Sequence, residues 1–259
     1  RTKRLSVGRV QTVAVSIVKD KEDEIKAFIP EEYWNIDAEF SNNSKESYIG
    51  RLFKAPNVSE KDFKVKNARE AEEIKNKVNN LDFHIESVKT TKRTSKPRAP
   101  FTTSSLQQEA SFRVRFSPSR TMTLAQQLFR GINLEGGEEG LITYMRTDST
   151  VLSQDSISDI EKHVKNAFGE NYFKLRKYTT KSANAQEAHE AIRPTSISRT
   201  PESIQNYLDK DQYKLYELIW KRAVASQMSD SVNEKTTVIT SSSDDTEDSF
   251  RFKSESDKL

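Results

Sequence analysis

The feature that most constrains the fold is a change of hydrophobic period along the chain, from strand-like to helical and back. Tyr33, Trp34, Ile36, Ala38 and Phe40 roughly alternate with polar residues. Tyr48–Phe53, Phe63–Val65 and Phe83–Val88 give three more short β-prone runs, with a charged helix predicted over Ala68–Asn79. Such alternation marks strands that bury one face. The same kind of run returns at Thr236–Thr240 and Phe250–Lys253. The chain therefore leaves a β-rich domain near Thr94 and re-enters it near Val232, which makes the stretch between an insertion. The expected class is α+β: a mainly helical domain, 96–230, inserted into a β-rich domain made of 31–95 and 231–259, with a helix in 1–30 ahead of both.

Within the insertion the period is helical. Thr102–Ser105 offer N-cap hydroxyls for a helix through Phe116, and Thr121 is expected to cap a second that carries Leu124, Leu128 and Phe129. The glycine- and glutamate-rich Gly131–Gly140 reads as a flexible loop, in which 133–139 suggests no function. After Ser153, the residues Ile157, Ile160, Val164 and Phe168 mark a third helix, and Ile204 through Met228 one long helical return. At the N-terminal side, Val13, Ala14, Ile17, Val18, Ile25 and Phe28 predict an amphipathic helix that Pro30 ends.

The chemistry concentrates in Gly140–Thr150, GLITYMRTDST. If this apolar run is a strand, its period of two sets Tyr144, Arg146 and Asp148 on one face. A phenol is a poor nucleophile at neutral pH, but attack on a phosphodiester would store the broken bond as a reversible aryl ester. A planar guanidinium can hold two phosphate oxygens as charge develops, and a carboxylate can orient it. The bland alternative is a half-buried strand tyrosine beside a surface ion pair, and on spacing alone Y-x-R-x-D fits both.

Charge and composition narrow the class. The net charge is only +3, from 42 basic and 39 acidic residues, so any nucleic-acid surface must lie in the distribution of charge. Val88–Pro100 carries Lys89, Lys92, Arg93, Lys96 and Arg98 with no acid, either a phosphate-facing stretch or a solvated linker. Ser241–Ser249 is acidic and reads as a hairpin loop. No apolar run approaches the roughly 20 residues of a membrane span, and a mean hydropathy of -0.81 suits a surface-rich body. The chain has no cysteine, and its histidines, His84, His163 and His189, lack metal-ligand spacing, so no metal site is expected.

The strings around these residues resemble type IA DNA topoisomerases. GLITYMRTDS is similar to the family's active-site segment, and Met145 before Arg146 is more like the bacterial topoisomerase I branch than the topoisomerase III branch. LSVGRVQT (Leu5–Thr12), IKAFIPEEYW (Ile25–Trp34), PFTTSSLQQEAS (Pro100–Ser111) and AQEAHEAIRPT (Ala185–Thr195) resemble further family motifs in the family's order. The resemblance implies a nucleophile at Tyr144 assisted by Arg146. It implies contacts to single-stranded DNA by Ser6, Arg9, Gln11, Thr143, Asp148, His189 and Arg193, although Arg193 also reads as a helix-terminus ion pair. It further implies a β-rich arch domain around the tyrosine domain, and ATP-independent relaxation of negatively supercoiled DNA through a 5′-phosphotyrosine in a cytoplasmic, chromosome-associated bacterial enzyme.

The family's Toprim domain, with its acidic cluster for Mg2+ and a lysine, has no counterpart in these residues. The expectation is a central fragment, inactive alone in relaxation, whose tyrosine segment is half of a site. The competing expectation is a non-catalytic single-stranded-DNA-binding or interaction module with a structural tyrosine. A tyrosine recombinase would call for clustered arginines and a histidine in an arrangement this sequence lacks.

Overall fold

The structure is a computed structural model that describes residues 8–42, 44–179, 190–243 and 248–258. In chain order its elements are α1 (Arg9–Ala27), β1 (Asp37–Ser41), β2 (Ser47–Lys54), α2 (Ala68–Val78), β3 (His84–Ser95), α3 (Thr103–Val114), α4 (Pro118–Arg130), β4 (Ile132–Leu134), β5 (Gly137–Glu139), α5 (Gln154–Phe168), α6 (Lys210–Ser226), β6 (Ser231–Ser241) and β7 (Arg251–Lys258). Helix and antiparallel sheet are both present, as the α+β reading expects. Two compact units emerge, one drawn from Arg1–Thr91 and Glu234–Lys258, the other from Lys92–Asn233.

The first unit is built on a five-stranded sheet of order β1-β2-β7-β6-β3. Its β1–β2, β2–β7 and β6–β7 pairs are antiparallel, and a register shift falls between Leu52 and Lys54. The inward positions Leu52, Phe250 and Phe252 meet Ile74 and Val78 of α2, with Phe40 and Phe83 packed against them. Phe252 stands edge-on to both Phe40 and Phe83, at 5.2 and 5.6 Å between ring centres. Gly50 makes that aromatic cluster possible: a Cβ there would sit 3.0 Å from Phe252 Cβ and 3.1 Å from the Phe40 ring. Asn67 caps α2 by accepting from Glu70 N at 2.9 Å.

Three expectations for this unit change. Phe63–Val65 forms no strand and contributes only the bridge between Trp34 and Val65. Val88–Pro100 is not a linker from its start, because β3 runs on to Ser95; all twelve of its residues are exposed, so no apolar pattern announced its length. Helix α1 forms as its spacing predicts but buries none of its residues, and Val13, Ile17, Val18 and Ile25 remain exposed. The acidic tract joins the paired strands β6 and β7, though 244–247 lie outside the described residues.

The second unit is helical around two cores. One gathers Phe101, Leu106, Leu124, Leu128, Leu141, Ile142, Met145, Leu215, Tyr216 and Ile219. The other joins Ile157, Ile160 and Val164 of α5 to Ala191, Ile197 and Val224. Helix α3 begins with a capping box in which Thr102 and Ser105 exchange hydrogen bonds. The cap of α4 is Ser117, followed by Pro118 in the first turn, rather than Thr121; the Thr121 hydroxyl donates to Ser117 O at 3.0 Å inside the helix.

Two further corrections follow from local chemistry. Gly131–Gly140 is a hairpin, β4 against β5, since Gly131 and Gly137 supply the positive φ values that its turns need. The long helical return is interrupted. A 3-10 turn covers Glu202–Tyr207, Leu208 is extended, and Asp209 starts α6 with a capping box to Gln212. Asp209 binds the free N–H groups of a new helix start, which an uninterrupted helix would not offer.

Candidate functional site

Gly140–Thr150 is irregular, with bends at Thr143 and Met145, and lies in no sheet, which corrects the expectation of a strand. Its one backbone bridge pairs Ile142 with Pro194. The period of two survives nonetheless: Met145 and Ser149 point into the protein while Tyr144, Arg146 and Asp148 are exposed. Where a strand would use a ladder, this segment is held from two sides by other means.

On one side stands Thr103, at the start of α3. Its hydroxyl donates to Met145 O at 2.7 Å and accepts from Thr147 N at 2.9 Å, while its own N–H donates to Thr147 O at 2.9 Å. On the other side runs 191–195. Thr143 N donates to Arg193 O at 2.9 Å, Arg193 N donates to the Thr143 hydroxyl at 3.0 Å, and that hydroxyl donates to Ala191 O at 2.7 Å. Tyr144 thus sits between two clamps. The approach is fixed as well: Leu141 N donates to Leu128 O at 2.7 Å, and at Gly140 a Cβ would come within 2.6 Å of Phe129 O.

The tyrosine ring stays open to an incoming group. Tyr144 is 46% exposed, and its ring rests edge-on against Phe129 at 5.3 Å between centres. Arg146 and Asp148 do not pair with each other, and among the described residues Arg146 has no acidic partner, so the surface ion pair of the bland reading is not formed. A planar guanidinium can hold two oxygens of a phosphate.

Arg193 behaves differently. Its guanidinium donates to Glu190 Oε2 at 2.7 Å and to Pro194 O at 2.9 Å, and its Nε is buried without a partner. Glu190 also accepts from Ser153 N at 2.7 Å, at the residue that caps α5. Burial opposes the charge on Glu190, but the hydrogen bonds from Ser153 and Arg193 outweigh it and hold the carboxyl below its ordinary range. The ion pair of one reading of Arg193 is formed, with Glu190 beside the N-terminus of α5. Ser6 and His189 lie outside the described residues. Arg9 and Gln11 occupy the exposed first turn of α1, in the other unit.

Sequence reasoning missed Thr103 and Phe129 as parts of the site. The hydroxyls of Thr102–Ser105 were expected to cap, and Thr102 and Ser105 do; nothing local marks Thr103 as the one that reaches a segment 42 positions away. Phe129 was expected only on an apolar helix face. Buried chemistry elsewhere in this unit is structural. Burial raises the Tyr216 phenol, whose hydroxyl donates to Arg199 O at 2.7 Å, and His163 stacks edge-on to Trp220.

Comparison with known proteins gives a consistent result. A family model described as DNA topoisomerase matches residues 1–258. The DNA topoisomerase 1 proteins of Rickettsia felis, Rickettsia typhi and Rickettsia prowazekii are each 44% identical over 225 residues, 86% of this chain and 29% of theirs. A solved structure of full-length topoisomerase I from Thermotoga maritima superposes with a TM-score of 0.77 at 36% identity, over 99% of this chain and 39% of that one. The chain therefore spans less than a third of the length of these curated relatives.

Proposed function

Because this chain belongs to the DNA topoisomerase family, we propose that it carries the strand-cleaving tyrosine of a bacterial type IA enzyme. The observation that supports this most is the posture of Tyr144: a half-exposed phenol on a doubly clamped segment, with Arg146, which has no acidic partner among the described residues, two residues on. In the proposed reaction the Tyr144 oxygen attacks the phosphorus of a phosphodiester in single-stranded DNA. The bond from phosphorus to the 3′ oxygen breaks, that oxygen leaves as a hydroxyl, and the 5′ phosphate stays on the tyrosine. Religation is the reverse, with the 3′ hydroxyl attacking and the phenol leaving. Bond energy is conserved, so ATP has no part.

Each residue then has a role. Arg146 offsets charge on the phosphate, and Asp148 orients the arginine or a nucleotide. Arg9 and Gln11, with Ser6 and His189, contact DNA. Thr143 and Arg193 have their polar groups committed to the segment and to α5, and we assign them positioning rather than direct contact. The tyrosine domain, 96–230, is the insertion and the β-rich flanks are the arch. Mg2+ would act with a Toprim domain. Among the described residues no three His, Cys, Asp or Glu side chains converge on a metal position.

Covalent trapping tests the proposal. An enzyme carrying this chain, quenched with denaturant during reaction on end-labelled oligonucleotides, should retain the 5′ phosphate fragment, and Tyr144→Phe should abolish the adduct. An unchanged adduct in Tyr144→Phe, or retention of the 3′ end, would sink it.

A further inference from the structure

Beside Tyr144, on the flank of α4, lies an open cavity of about 480 Å3. Its polar wall is a helical stripe, Thr123, Gln126 and Arg130, at the spacing that stacks side chains on one helix face. Met122 and the buried Met145 give it an apolar floor, and Arg146 closes the far side. Among the described residues no carboxylate lines it.

Most arginines of this unit have an acidic partner, Arg93 and Arg115 being exceptions among the described residues that lie outside the groove. Arg98, Arg113, Arg120, Arg176, Arg193, Arg199 and Arg222 are all ion-paired. Arg130 and Arg146 have no acidic partner among the described residues, and both face the same cavity. Two guanidiniums brought together without an anion repel each other, and a phosphate between them would remove the repulsion while using their donors. Arg130 directly follows Phe129, the ring on which Tyr144 rests, and Met145 and Arg146, which line the groove, directly follow Tyr144.

We infer that this groove seats a backbone phosphate of single-stranded DNA next to the one that Tyr144 attacks, with Arg130 as its cation and Gln126 and Thr123 as neutral donors. The inference rests on the proposed function and extends it to a residue that neither the Y-x-R-x-D spacing nor the family motifs single out. Arg130 is a positioning residue: it sets the register of the strand and takes no part in the bond exchange. The competing role for Arg130 is a favourable charge at the C-terminal end of α4, which would affect folding stability and not DNA affinity.

Anisotropy titrations of the chain with a labelled oligothymidylate, across a range of salt, separate these roles. Arg130→Ala should weaken binding about fivefold and reduce the slope of log affinity against log salt by about 0.7, the share of one single-strand phosphate. Arg130→Lys should keep the slope, and Gln126→Glu, which places a carboxylate in the groove, should weaken binding at least as much as Arg130→Ala. An Arg130→Ala chain that keeps wild-type affinity and slope overturns the groove assignment. Trapping in the complete enzyme keeps the two readings apart. If Tyr144 forms the adduct while Arg130→Ala titrates as wild type, the groove assignment falls and the function stands; if Tyr144 traps no DNA, the function falls and the groove assignment with it.

Discussion

Thr103 shows how one hydroxyl can decide the conformation of a segment far away in sequence. It bridges Met145 O and Thr147 N, both of which a β-ladder would otherwise have to satisfy. Thr103→Val keeps the shape of the side chain and removes the bridge, leaving those groups without a partner. The expected loss is about 1–3 kcal/mol of stability, read as a shift in urea midpoint, together with faster hydrogen exchange at Thr147 N. A shift within about 0.5 kcal/mol would mean that the segment holds itself. This also explains what the sequence could and could not tell. The alternation that exposes Tyr144, Arg146 and Asp148 was legible from the spacing of apolar and polar residues, and it persists through the bends at Thr143 and Met145. The absence of a sheet was not, because the partners that replace it are a side chain on α3 and backbone near Arg193.

At the scale of elements, the legible features were those with a local cause: the cap of α3, the start of α5 at Ser153, the amphipathic spacing of α1. The errors arose where a competing local rule won. Glycines read as flexibility turned out to serve the β4–β5 turns, and an apolar period that ran through Leu208 was cut by the stronger preference of Asp209 for a helix start. Helix α5 shows how an element can depend on pH. Glu190 accepts from Ser153 N and from Arg193 at its N-terminus, and its folded pKa lies below the ordinary value of 4.5. A depressed carboxyl stabilises the fold above its unfolded pKa, and the contribution disappears as pH falls through the lower folded value. Glu190→Gln should therefore lower stability near neutrality and flatten the plot of urea midpoint against pH on the acid side of the ordinary value of 4.5. A mutant curve parallel to wild type over that range would exclude Glu190 as the titrating group.

At the scale of the whole molecule, the inserted unit owns its two cores, and every restraint on Tyr144 described above comes from within Lys92–Asn233. That stretch, expressed alone, should fold with native-like helix content and melt cooperatively, and a broad, non-cooperative melt would show that its cores are insufficient. The strands β6 and β7 were legible from the return of strand periodicity near Val232. The uncovered apolar stripe of α1 was not, because spacing predicts which face is apolar and says nothing of what covers it. The clamps on Tyr144 bear on the fate of a cleaved strand. In the proposed reaction a broken DNA end esterified to this ring is moored to a packed body, so the loose end cannot diffuse away or slacken by a residue or two, and its way back to the partner end depends on the travel of the anchorage as a whole.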